Sequence, residues 1–213
     1  MLAPQVKFLI NLERSQDRLQ WSNAQLEKHS LNDVQLWRGV DGAKEDVYEI
    51  AEKIGLTGRK LPKGKMGCFL SHYMLWQHCY EKGYDKVWIM EDDMFFRPDW
   101  KKDLALVPDV EYDLVYLCAW RHALPLENRV PDEGDKHVKG KLWEVNKASS
   151  NLSYFVSRNA LEVLLKELKE VKQNQDLQMR DDCFEKLRTF AFFPNLVHQS
   201  QEIQSISTKI DGE

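Results

Sequence analysis

The sequence lacks a hydrophobic run long enough to cross a bilayer. Its longest strongly apolar stretch, Leu114 to Trp120, falls far short of the roughly 20 residues a membrane-spanning helix needs. The N-terminal Met1-Leu2-Ala3-Pro4-Gln5-Val6-Lys7-Phe8 has no basic segment followed by a long apolar core, so no secretion signal is legible and the expected location is cytoplasmic. Glycine and proline are sparse, at 10 and 7 of 213 residues, which excludes collagen-like and low-complexity chains. The 4 cysteines, Cys68, Cys79, Cys118 and Cys183, show no Cys-x-x-Cys spacing and sit in or beside apolar stretches. Buried free thiols are expected rather than disulfides or a zinc site. An excess of one charge is also missing: 30 basic residues face 34 acidic ones, a net charge of −4. Nucleic acid is therefore not an expected partner, and the one basic stretch, Arg59 to Lys65, is short and has no interleaved aromatics.

What is present is a soluble, foldable composition, 43% hydrophobic and 30% charged. A chain of this size buries roughly 70% of the surface it exposes when unfolded, and needs no covalent staples. Val6 to Leu12 is a strand candidate, followed by a helix from Ser15 to about His29 and a second strand at Val34 to Trp37. Glu45 to Ile54 reads as helical. Gly55 to Gly67, with 4 glycines, a proline and 4 Lys or Arg, reads as a basic loop. Phe69, Tyr73, Trp76 and Tyr80 recur at helical spacing until Gly83. Lys86 to Met90 and Asp113 to Trp120 read as buried strands, and Pro98 opens a short helix. His122 to Lys141 is a polar excursion, Tyr154 to Ser157 a strand, and Arg158 to Lys172 an amphipathic helix. A helical piece at Asp181 to Leu187 leads to a strand at Thr189 to Val197 and a polar tail. Alternating strands and helices predict an α/β sheet layered with helices, in which ligands sit outside the carboxyl ends of the strands.

Two polar clusters fall at strand ends: Asn11 to Arg14, and Glu91-Asp92-Asp93. In an extended segment Glu91 and Asp93 share a face and Asp92 points to the other. Two such carboxylates suit Mg²⁺ or Mn²⁺, which retain open positions for substrate phosphates; a solvated turn is the plainer reading. Arg14 and Arg18, four apart, share a helical face and suit phosphate, or pairing with Glu13 and Asp17. Ser71 and His72 are not a hydrolase pair, because adjacent helical residues diverge by about 100°. Asp181-Asp182 favours a helix N-terminus, or supplies a general base from the opposite wall of a cleft.

These motifs, taken in order, resemble glycosyltransferase family 25, which contains lipooligosaccharide galactosyl- and glucosyltransferases and collagen galactosyltransferases. The resembling segments are Ile10-Asn11-Leu12-Glu13-Arg14 with Asp17-Arg18, Val40-Asp41-Gly42, Gly67-Cys68-Phe69-Leu70-Ser71-His72 and Ile89-Met90-Glu91-Asp92-Asp93. Tyr154-Phe155-Val156-Ser157, Asp181-Asp182 and Pro194-Asn195-Leu196-Val197 continue the series. The chain departs from the family pattern at Lys65 and at Asn151-Leu152-Ser153. The resemblance implies a GT-A-like, Rossmann-like α/β domain over 1–205, with a mixed, mainly parallel sheet and a polar tail at 206–213. It also implies a UDP-sugar donor, a glycan or glycoconjugate acceptor, Mn²⁺ or Mg²⁺, and inversion at the anomeric carbon. Carried over by position, Glu91 and Asp93 are the metal ligands. Asn11, Arg14, Asp41, Ser71, His72 and Asp92 border the nucleotide sugar, and Asp182 or Asp181 is the base. A lipid-linked acceptor is compatible with weak peripheral membrane association through Arg59 to Lys65. The alternatives are a nucleotidyl- or phosphoryl-transferring enzyme using the same acidic edge, and a non-catalytic carbohydrate- or partner-binding module.

Overall fold

The computed structural model describes residues 4–105, 110–120, 131 and 133–200. In chain order the elements are β1 (Val6–Asn11), α1 (Gln16–Lys28), β2 (Val34–Arg38), α2 (Val47–Lys53), β3 (Thr57–Gly58), α3 (Lys63–Glu81) and β4 (Lys86–Glu91). Then come β5 (Met94–Phe96), α4 (Trp100–Ala105), β6 (Leu114–Tyr116), β7 (Lys136–Lys139), β8 (Leu142–Glu144) and β9 (Ser153–Ser157). The last are α5 (Arg158–Glu167), β10 (Glu170–Val171), α6 (Gln175–Cys183), β11 (Thr189–Phe192) and β12 (Val197–Gln199).

The main sheet has eight strands in the order β2-β1-β4-β9-β6-β11-β8-β7. β1 pairs in parallel with β2 and β4, and β11 with β6, while β9 runs antiparallel between β4 and β6 and β8 antiparallel to β11 and β7. All strands except β9 and β8 thus point the same way. This is the mixed, mainly parallel α/β sheet expected of a GT-A-like chain. Period-two alternation sorts the strand residues onto two cores. Phe8, Ile10, Val87, Ile89 and Val156 join Phe69, Trp76 and Leu164 of the helical layer. Leu9, Trp88, Met90, Val115 and Phe155 pack with Leu26, Phe96 and Trp100 on the other side.

Several boundaries differ from the sequence expectation, each for a tertiary reason. The basic loop ends early, because α3 begins at Lys63 directly after Pro62. Its glycines allow close docking. A Cβ on Gly67 would lie 2.7 Å from the Val40 carbonyl oxygen, and one on Gly42 would lie 2.2 Å from that of Lys63. α5 stops at Glu167, because Glu170 and Val171 pair in parallel with Thr57 and Gly58 as a two-stranded ribbon. The helix expected from Asp181 starts at Gln175 instead. The strand expected over Thr189 to Val197 is split into β11 and β12 around Pro194, whose ring nitrogen has no hydrogen to donate to a ladder. The strand expected over Asp113 to Trp120 is confined to β6, with Trp120 bridging Ser149 beyond it. Within the polar excursion, β7 and β8 form an antiparallel pair on the sheet edge. Residues 122–130 and 132 of that excursion and the tail after 200 lie outside the described residues. All four cysteines are free, as expected. No described helix is long and apolar enough to cross a membrane.

Candidate active site

Strand order reverses between β1, which continues through α1 to β2 on one side, and β4 on the other. Outside the carboxyl ends of these two strands lies a cleft of about 350 Å³. Asn11, Arg18, Ser71, His72, Glu91, Asp92 and Asp93 line one wall, with Lys65 and Cys68 from α3 beside them. Asn151, Asn174, Gln175, Asp176, Trp120 and Gln199 close the remainder.

The chain turns sharply after β4, so the three acidic residues separate differently from an extended strand. Arg18 Nη2 bridges Asp92 Oδ1 at 2.5 Å and Asp93 Oδ2 at 2.8 Å, which joins Asp92 to Asp93. Asn11 Nδ2 donates to Asp92 Oδ2 at 2.6 Å, and Ser22 Oγ donates to the Asp92 carbonyl. Gln199 Nε2 donates to Asp93 Oδ2 at 2.9 Å, while Asp93 Oδ1 is buried with no hydrogen-bond partner among the described residues. Burial pushes the Asp92 carboxyl up to about 7, against the pull of Arg18. Burial, then the neighbouring Glu91, raises Asp93 as well. Asp93 is thus held with Asp92 through Arg18, and Glu91 is held from α3, with Glu91 still near enough to Asp93 to raise its carboxyl.

Glu91 is buttressed by a relay. Trp76 Nε1 donates to the fully buried Tyr154 hydroxyl at 3.0 Å, and that hydroxyl pairs with His72 Nδ1, 2.8 Å away. An ionised Glu91 carboxylate can only accept, so His72 Nε2 is the donor to its Oε1 at 3.2 Å. The Cys68 thiol donates to the same oxygen at 3.8 Å, and burial, then Glu91, holds the thiol protonated well above its ordinary range. Ligand atoms of Cys68, His72 and Glu91 lie within 4.8 Å of one another. In this arrangement Cys68 and His72 support Glu91, and the same three side chains are close enough to share a metal ion. The oxygens of Glu91 and Asp93 suit a hard cation better.

Other expected site residues have different places. Ser71 Oγ accepts from the Val40 amide at 2.8 Å and donates to the Gly67 carbonyl at 2.7 Å, so it clips the loop after β2 onto α3. Arg14 pairs with Asp41 at 2.8 Å, and neither lines the cleft. The expectation that Asp181 or Asp182 faces the cleft is corrected. Asp181 is exposed and pairs with Arg180, and Asp182 pairs with Lys172 at 3.0 Å, because both lie in the second half of α6. The acidic residue that α6 presents to the cleft is Asp176, in its first turn. Burial, then Glu91, raises its carboxyl. Reading Asn174 as an N-cap followed by a first-turn acid would have found it.

Residues 5–184 match the family described as glycosyltransferase family 25 (LPS biosynthesis protein). Procollagen galactosyltransferase 2 of Homo sapiens is 26% identical over 173 residues, covering 74% of this chain and 27% of that protein. Inactive glycosyltransferase 25 family member 3 of Homo sapiens is 42% identical over 67 residues, 29% of this chain and 11% of that protein. The chain thus spans about a quarter or less of the length of these curated relatives. A crystal structure of a glycosyltransferase involved in glycosylation of the major capsid of PBCV-1 shares the fold, with a TM-score of 0.50 and 11% identity over 98% of this chain and 97% of that one. The match over most of the chain, together with the acidic cleft at the β1 and β4 ends, places it: the chain belongs to glycosyltransferase family 25.

Proposed function

We propose that the chain is a metal-dependent, inverting hexosyltransferase that moves galactose or glucose from a UDP-sugar to a hydroxyl of a glycan or glycoconjugate acceptor, such as lipooligosaccharide. The observation that carries this reading is the acidic wall of the cleft. Among the described lining residues, Glu91, Asp92, Asp93 and Asp176 face the buried guanidinium of Arg18 and the exposed Lys65, and Asp93 Oδ1 has no partner. Such an excess of carboxylate favours an incoming cation. Asp93 and Glu91 would hold Mn²⁺ or Mg²⁺, which when bound supplies a Lewis acid for the negative charge of a diphosphate leaving group.

The protein side chains do the remaining work. Arg18 and Asn11 hold Asp92, and Tyr154 and His72 aim Glu91. Asp176, facing the cleft with a raised proton affinity, takes the place of Asp181 or Asp182 as the base that receives the acceptor hydroxyl's proton. The likeness to a procollagen galactosyltransferase supports galactose as the transferred sugar. The exposed basic stretch Arg59 to Lys65 supports an acceptor presented at a membrane face, from a cytoplasmic enzyme.

Calorimetric titration of UDP, UDP-galactose and UDP-glucose, with and without Mn²⁺, tests the reading on wild type and Asp93→Ala. The expected result is metal-dependent binding that the variant loses, together with hexose transfer from the bound donor. No binding of any of the three at saturating Mn²⁺ overturns it. The likeness to an inactive family member favours one second reading, a binding module; glycan binding without donor turnover would support that instead.

A further inference from the structure

Two amide side chains in the cleft are oriented by sulfur atoms. Gln175, only 2% exposed, sets its Nε2 against Met179 Sδ, and its Oε1 is buried with no hydrogen-bond partner among the described residues. A flipped amide would set that oxygen against a thioether, which has no hydrogen to give, and this favours the orientation with Nε2 toward the sulfur. Asn151 Nδ2 donates to Cys68 Sγ at 3.5 Å, and its Oδ1 is likewise buried and unpartnered among the described residues. Here too the orientation follows from hydrogens: the thiol donates to Glu91, so its sulfur faces Asn151 as an acceptor. Both residues line the cleft. Asn151 is one side chain removed from Glu91, and Gln175 adjoins Asp176.

A buried carbonyl oxygen left without a donor costs more than a typical hydrogen bond contributes, so these two atoms mark places where a ligand brings hydrogen. Phosphate groups offer acceptors and do not fit. Sugar hydroxyls do. Trp120, 39% exposed on the same cleft, adds an apolar ring for the C–H face of a pyranose. We infer that Asn151 Oδ1 and Gln175 Oε1 accept hydrogen bonds from hydroxyls of the transferred hexose and set which hexose the enzyme uses. This rests on the transferase reading above and deepens it, since the sugar must lie between the diphosphate at Glu91 and Asp93 and the base at Asp176.

The test compares UDP with UDP-galactose and UDP-glucose at saturating Mn²⁺, in wild type, Asn151→Leu and Gln175→Met. Each variant is expected to weaken binding of the preferred UDP-hexose by about tenfold, the scale of one hydrogen bond, while its UDP affinity stays unchanged. A series of single-deoxy analogues on the wild type needs no variant to fold. At least two analogues should bind about tenfold more weakly, and the analogue lacking the hydroxyl read by Asn151 should lose nothing further in Asn151→Leu. Equal losses for UDP and UDP-hexose, unchanged UDP-hexose affinity in both variants, or deoxy analogues that all bind like the parent would each overturn the inference and leave the transferase reading standing. Wild type that binds neither UDP nor UDP-hexose overturns both.

Discussion

Arg18→Met removes the one guanidinium that joins Asp92 and Asp93 while keeping most of the side-chain stem. In the wild type its Nη2 lies 2.5 Å from Asp92 and 2.8 Å from Asp93, with side-chain exposures of 10%, 6% and 5% for the three residues. Removing one partner of a buried ion pair costs about 3–5 kcal/mol, because the other charge stays buried. For a domain of this size that corresponds to a melting-temperature drop of roughly 6–20 °C. Burial already pushes Asp92 up to about 7, well above its unfolded value of 3.8. The folded state therefore holds the proton more tightly, and this group's contribution to stability falls as pH rises from about 3.8 through 7. The penalty of the variant should accordingly be largest near pH 8.5 and shrink near pH 5.5. Urea unfolding in EDTA at the two pH values measures it. Repeating the pH 8.5 series in Mn²⁺ should restore about 2.7 kcal/mol at a hundredfold excess over Kd. A variant within about 1 kcal/mol of wild type at pH 8.5 without metal would refute the pairing argument, since that scale is reserved for exposed pairs.

Two further predictions concern the walls of the cleft. Gly67→Ala should destabilise the chain by about 1–3 kcal/mol in thermal or urea unfolding, because its methyl would press on the Val40 carbonyl and force α3 off the loop. Asp176→Asn should lower the transfer rate by about 10²–10⁴-fold, the usual contribution of a general base, while Asp182→Asn stays near wild type in the same UDP-release assay. Comparable losses in the two variants would return the base to the second half of α6.

The elements nearest the chemistry were legible because their signals are local. Val6 to Leu12 and Lys86 to Met90 are short apolar runs that end in polar residues, and they form β1 and β4 with Asn11 and Glu91 at their tips. The aromatic repeat from Phe69 to Tyr80 lies within α3. The partners of the charged groups were not legible. Arg18 had Asp17 beside it in sequence, yet meets Asp92 and Asp93; Arg14 meets Asp41. Misplacing the start of α6 put Asp181 and Asp182 where Asp176 lies, since five residues along a helix rotate a side chain to a different azimuth and carry it more than one turn away.

Sequence by itself determined the α/β class, the free thiols, and an acidic strand end within a series of motifs that resembles one enzyme family. Hydrophobic period and chain-local chemistry depend on near neighbours, and near neighbours are what a sequence displays. Only the tertiary structure decided which carboxylates stand together, which residue of α6 faces the cleft and which amide oxygens lack a partner among the described residues. Those outcomes depend on contacts such as Asn11 with Asp92, 81 residues apart. Strand pairing and burial bring such groups together, and the cost of leaving a buried polar atom unpaired then selects the partner.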